Sequence, residues 1–218
     1  MTLQKPETMK LYDYETAPSP RKVRIFLVKK GIELETISVN LPQKEQFADW
    51  YRQKNPNCTV PSLELNDGTV LCESEAICHY LEEIYPNPPL FGRSTMERAF
   101  VNEWLQRIDF EGYLPVANFI RNCSDAFKDR ALPGPKPVAQ IPELAERERD
   151  RAQQFFYTIN DILESNNPWL LGKYFSILDI FAFVTLEFAD KCQLQPEEEL
   201  NALEIWLQKM RDSLEATN

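Results

Sequence analysis

The sequence contains one histidine, His79, and no Cys-x-x-Cys pair among its five cysteines. Zinc centres draw on closely spaced His and Cys ligands, so no metal site is expected. An odd number of unpaired cysteines reads as reduced thiols, the state a cytoplasm maintains. No apolar run reaches the roughly 18 residues that a membrane helix needs, so no membrane partner is expected. Residues 1–9 lack the apolar core of a secretory leader, which also points to a cytoplasmic location. Cations are outnumbered, with 24 Lys+Arg against 34 Asp+Glu and a net charge of −10. That balance argues against a nucleic-acid partner. It leaves a small anionic ligand open, because the local field decides such binding. Internal repeats and low-complexity tracts are also missing.

What is present is organised around residues 55–80, NPNCTVPSLELNDGTVLCESEAICHY. Val60-Pro61 precedes the alternating Ser62-Leu63-Glu64-Leu65, and a proline opening a strand belongs at an edge or an entry turn. Asn66-Asp67-Gly68 is a hairpin signal, since glycine accepts the positive φ such turns need, and Thr69-Val70-Leu71 returns as the second strand. Glu73-Ser74 then opens a helix whose apolar residues Ile77, Tyr80, Leu81 and Ile84 share one face. The order suits recognition of an α-amino acid head. A residue before proline is held extended, and a cis Val60-Pro61 peptide presents the Val60 N–H and C=O outward to an extended peptide. The Ser74 hydroxyl and the first N–H groups of the helix suit a carboxylate, while Glu73 suits an ammonium.

Upstream, residues 10–14 read as a strand, residues 21–30 as a helix stopped by Gly31, and Ile32, Leu34, Ile37 and Val39 as a second strand. Residues 43–54 are a polar, irregular helical stretch. Pro86-Asn87-Pro88-Pro89 reads as a stiff linker. Beyond it the pattern is helical throughout: residues 95–122 as one long helix or a bent pair, 143–165, a buried run 180–186 behind a Ser176-x-x-Asp179 capping box, and 197–215. Residues 132–142, with four prolines, form a surface loop.

The Val60-Pro61 step, the Glu73-Ser74 helix start, Asn55-Pro56 and Asn66-Asp67-Gly68-Thr69 together resemble the glutathione S-transferase family, and the resemblance runs over most of the chain. It implies an α/β thioredoxin-like N-terminal domain, residues 8–86, followed by an all-α helical-bundle C-terminal domain, residues 93–218. It implies that Val60 and Pro61 bind the cysteinyl backbone of glutathione and that Glu73 and Ser74 hold its γ-glutamyl group. Gln46 and Lys54 are the candidates for the glycyl carboxylate, each with exposure on a helix as the alternative. Glutathione is the implied co-substrate, a small hydrophobic electrophile the second substrate, and a homodimer the implied assembly.

The resemblance departs at the nucleophile. The residue that activates the glutathione thiol in serine- and cysteine-using members corresponds here to Ala17, in Glu15-Thr16-Ala17-Pro18-Ser19-Pro20. A free thiol with a pKa near 8.5 is mostly protonated at neutral pH, so some donor must favour the anion. Ser19 is the first candidate catalytic residue, Thr16 the second, and backbone N–H groups a third source; Ser19 as a mere cap of a helix starting at Pro20 is an equal alternative. Cys58, two residues before Val60, is either a small turn residue or a thiol able to form a mixed disulfide. The expected activity is thiolate attack on an electrophile. A glutathione-dependent disulfide reductase or isomerase, or a non-catalytic transferase-fold protein, are the alternatives.

Overall fold

A computed structural model describes residues 9–166 and 168–215. Residue 8, the expected start of the first domain, and residues 216–218, the expected end of the second, lie outside them. The described chain divides into two compact units at Pro88–Pro89, and Pro133–Lys136 group with the first.

The first unit holds β1 (Lys10–Asp13), α1 (Pro18–Lys30), β2 (Glu35–Ser38), a 3-10 turn (Glu45–Phe47), α2 (Asp49–Arg52), β3 (Ser62–Glu64), β4 (Val70–Cys72) and α3 (Ser74–Ile84). The strands run in the order β2-β1-β3-β4, with β1 parallel to β2 and antiparallel to β3, and β3 antiparallel to β4. Alternation along each strand separates two faces. Leu11 and Leu63, opposite one another, are fully buried. Tyr12 and Ser62, also opposite one another, point to the other face, where Tyr12 joins Tyr51 and Val39 in a small core.

α1 begins three residues earlier than the sequence predicts. Pro18 takes the first helical position, where its missing N–H costs nothing, and Ala17 sits at the N-cap without a side-chain cap. Ser19 therefore lies inside the first turn and does not cap the helix. At the other end Gly31, at φ 63, closes α1, with the Ile32 N–H on the Leu27 carbonyl at 2.9 Å. The buried Lys30 pairs with Glu82 at 2.5 Å and donates to the Tyr85 and Pro88 carbonyls at 2.7 and 2.6 Å, tying α1 to the end of α3 and the linker.

The second unit is helical: α4 (Thr95–Arg107), a π-helical segment (Ile108–Tyr113), α5 (Leu114–Cys123), α6 (Pro142–Ser165), α7 (Ile177–Lys191) and α8 (Asn201–Glu215). The stretch 95–122, expected as one long helix or a bent pair, runs as α4 and α5 joined without a break by the π segment. Pro115 has no N–H and crowds the carbonyl four residues before it, and a widened turn relieves that crowding. Gly112 lets α6 approach the π segment closely, because a Cβ there would lie 2.7 Å from the Phe155 ring. α7 is the core: Ile177 to Leu186 are all buried. Its N-terminus carries the reciprocal Ser176–Asp179 capping box. α8 starts four residues later than predicted, where the Leu203 N–H docks on Asn160 Oδ1 of α6 at 3.2 Å. Among the described residues no helix is long and apolar enough to cross a membrane.

Candidate functional site

The β3–β4 ladder pairs Ser62 with Cys72, so its register, continued one step, sets Pro61 opposite Glu73, where α3 begins. The Val60-Pro61 peptide is cis. Among the described residues, no hydrogen bond outside the helices and strands engages the Val60 N–H or carbonyl. Glu73 is exposed and held at φ 72, ψ 127, a left-handed conformation that a residue with a Cβ adopts only under constraint from its surroundings. Ser74 is buried, and its hydroxyl donates to the Ser19 carbonyl at 2.8 Å. One bond thus joins the first turns of α1 and α3. The fold gathers Val60, Pro61, Glu73, Ser74 and Ser19 around one corner of the sheet.

The turn carrying Val60 is braced from beneath. Asn55, fully buried, donates to the Thr59 carbonyl at 2.9 Å, to Thr59 Oγ1 at 3.0 Å and to Ser62 Oγ at 3.2 Å, and it accepts from the Asn57 N–H at 3.0 Å. The Tyr51 hydroxyl donates to the same Thr59 carbonyl at 2.5 Å and lies 3.1 Å from Ser62 Oγ. Burial pushes the Tyr51 phenol up to about 12, so it stays a donor. Sequence reasoning noted Asn55-Pro56 without a role for Asn55 and passed over Tyr51; a polar residue and a tyrosine four positions apart before a proline turn were the available signal. Replacing Asn55 with alanine leaves the Asn57 N–H without its side-chain acceptor and Thr59 with half its bracing. A loss of about 2–4 kcal/mol is expected by urea denaturation.

The loop between β1 and α1 is held by Arg24, which donates to Asp13 Oδ1 at 2.5 Å and to the Glu15 carbonyl at 2.6 Å. Thr16 is exposed in this turn, and the Ala17 N–H is spent on the Tyr14 carbonyl at 3.0 Å. Pro18 and Pro20 have no N–H, so of the first three residues of α1 only Ser19 carries one. Tyr12 is committed elsewhere: its hydroxyl donates to Glu64 Oε2 at 2.5 Å, and burial, reinforced by that carboxylate, holds the phenol far above its ordinary range.

Lys54 is half-buried and lies outside the helices, and its ammonium lies 2.5 Å from Glu64 Oε1. The Lys54 bond first, then the Tyr12 bond, holds the Glu64 carboxyl below the usual range. Gln46 is buried in the 3-10 turn, and its Oε1 finds no hydrogen-bond partner among the described residues. Cys58 is buried at φ 56, the region glycine prefers, with its Sγ directed to the Pro56 carbonyl at 3.6 Å. Burial pushes its thiol up, which weakens it as a nucleophile. Among the described residues no cluster of three or more His, Cys, Asp or Glu side chains is arranged to hold a metal ion.

Residues 11–89 match the family model for the glutathione S-transferase N-terminal domain. The chain is 30% identical over 210 residues to glutathione S-transferase 2 of Saccharomyces cerevisiae, covering 94% of this chain and 86% of that one. The crystal structure of Gtt2 from Saccharomyces cerevisiae superposes with a TM-score of 0.86 at 28% identity, over 96% of this chain and 100% of the other. A maleylacetoacetate isomerase of Pseudomonas aeruginosa is 40% identical over 93 residues, 42% of this chain and 44% of that protein.

Proposed function

The chain belongs to the glutathione S-transferase family, and on that premise we propose that it binds glutathione and conjugates it, as the thiolate, to a small hydrophobic electrophile. One observation supports the reading: the Ser62–Cys72 pair that ends the β3–β4 ladder adjoins Pro61 on one strand and Glu73 on the other, while the Ser74 hydroxyl reaches the Ser19 carbonyl at 2.8 Å. In this proposal Val60 and Pro61 pair with the cysteinyl backbone. The N-terminus of α3 and the Ser74 hydroxyl, its one proton turned from the Ser19 carbonyl to the ligand, take the γ-glutamyl carboxylate, and Glu73 takes its ammonium. Gln46 and Lys54 serve the glycyl end, Lys54 by exchanging its bond to Glu64 for one to the ligand. Residues 8–86 form the glutathione-binding domain and residues 93–218 the helical domain. The protein works in the cytoplasm as a homodimer, with no nucleic acid or membrane partner.

Ser19 is the residue proposed to stabilise the thiolate, with Thr16 second, because the two prolines beside Ser19 leave the start of α1 few other donors. A hydrogen bond to a charged group contributes about 1.5–3 kcal/mol, so Ser19→Ala is expected to lower kcat/KM for a chromogenic aryl halide by roughly 10- to 150-fold. Glutathione affinity should hardly change. Turnover equal to wild type in Ser19→Ala, with glutathione affinity intact, removes Ser19 from that role.

The same scarcity of donors supports a second reading, in which the site binds glutathione for a different activity or for none. The likeness to an isomerase fits this alternative, as does a glutathione-dependent disulfide reductase or a non-catalytic binding protein. Turnover of disulfides above that of aryl halides separates the reductase. Retention on immobilised glutathione without turnover of either separates the binding protein.

A further inference from the structure

The second unit carries a groove of about 600 Å³ between α6, the end of α7 and the start of α8. That is the size of a small-molecule site. Phe156, Leu186, Leu203 and Leu207 line its floor, while Asp190, Glu197, Glu198, Glu199 and Glu204 stand around it. Lys191 and Arg211 are the basic side chains of the lining. Among the described residues none of those five carboxylates lies in an ion pair with a cation.

The walls are fixed before any ligand arrives. Gln193, at φ 60, turns the chain off α7, and the Leu194 N–H closes on the Ala189 carbonyl at 2.9 Å. Gln153 of α6 donates to the Gln195 carbonyl at 3.0 Å, and Gln195 donates to Asp190 Oδ1 at 2.8 Å. The Glu204 N–H holds the Leu200 carbonyl at 2.9 Å. A loop pinned to both neighbouring helices keeps the acidic rim beside the apolar floor.

An apolar body gains by covering the floor, and carboxylates beside low-dielectric walls focus a negative potential on whatever enters. The same field repels anions, glutathione and its conjugates included. We propose that this groove binds small amphiphilic organic cations, an ammonium head against the rim and an apolar tail on the floor, as a site separate from the sheet corner of the first unit.

Titration calorimetry with octyltrimethylammonium and octyl sulfate, in the intact protein and in Glu198→Lys/Glu204→Lys, tests this. Both glutamates are exposed, so the variant should fold as wild type does. The cation is expected to bind at least about tenfold more tightly than the anion, to weaken as salt rises, and to lose at least about tenfold in the double variant. Glutathione binding should not change in that variant. Equal binding of the two amphiphiles overturns the proposal, as does an unaltered affinity for the cation in the double variant. No heat with octyltrimethylammonium up to about 1 mM, a bound of about −4 kcal/mol, overturns it as well.

Discussion

Asp179→Ala is expected to destabilise the protein by about 4–6 kcal/mol, a large share of the 5–15 kcal/mol that holds a typical domain together. The Asp179 carboxylate is fully buried at the start of α7 and satisfies four donors: the Leu170 N–H at 3.0 Å, the Ser176 N–H at 2.9 Å, the Ser176 hydroxyl at 3.1 Å and the Trp206 indole N–H at 3.0 Å. One side chain thus caps α7, fixes the Trp169–Gly172 turn and anchors α8. Removal leaves several buried donors without acceptors, each costing about 1–3 kcal/mol. Urea denaturation followed by tryptophan fluorescence reads the loss; a change under about 1 kcal/mol would show that the cap is dispensable. Asp179 also gives a pH signature. Burial pushes its carboxyl up to about 6, against about 3.9 in an unfolded chain. Between those values the folded state binds more protons than the unfolded, so this group's contribution to stability falls as pH rises from about 4 to about 6 and is constant above. Wild type should therefore lose stability relative to Asp179→Asn across that window and no further beyond it.

Ser74→Ala is expected to weaken glutathione binding by roughly 10- to 150-fold, the loss of one charge-assisted hydrogen bond of about 1.5–3 kcal/mol. The substitution removes the hydroxyl proton that bonds the Ser19 carbonyl in the free protein and the γ-glutamyl carboxylate in the proposed complex, so it affects both the binding and the positioning of the α1 turn. Glu73→Gln separates the two. It keeps the backbone and removes only the charge facing the ammonium, so affinity should fall while the thiol pKa of bound glutathione stays put. Calorimetry gives the affinities and thiolate absorbance the pKa. Ser74→Ala binding glutathione as tightly as wild type contradicts the placement of the carboxylate at α3.

The β3–β4 hairpin and the start of α3 were legible in residues 55–80, because hairpin, proline entry and helix start are local events written in adjacent residues. The capping box at Ser176 and Asp179 was legible for the same reason. Long-range partners were not. Nothing in the spacing of Lys54 and Glu64 announces their ion pair, and the part Asn55 and Tyr51 play beneath Thr59 needs the chain to fold back over itself. The start of α1 was misplaced because Pro18-Ser19-Pro20 looks like a helix breaker, whereas proline is tolerated throughout a first turn whose N–H groups have no helical partner. The grouping of Pro133–Lys136 with the first unit also follows from no local pattern. The acidic groove is built from parts of three helices and a loop, which no local pattern brings together.

A tripeptide held by its backbone and its terminal amino acid head should release heat on docking, whatever the later chemistry. Glutathione titrated into the intact wild-type protein at neutral pH is the direct measurement. A saturable isotherm that weakens in Ser74→Ala is the predicted result, and the absence of saturable heat at millimolar glutathione would contradict the account at its base.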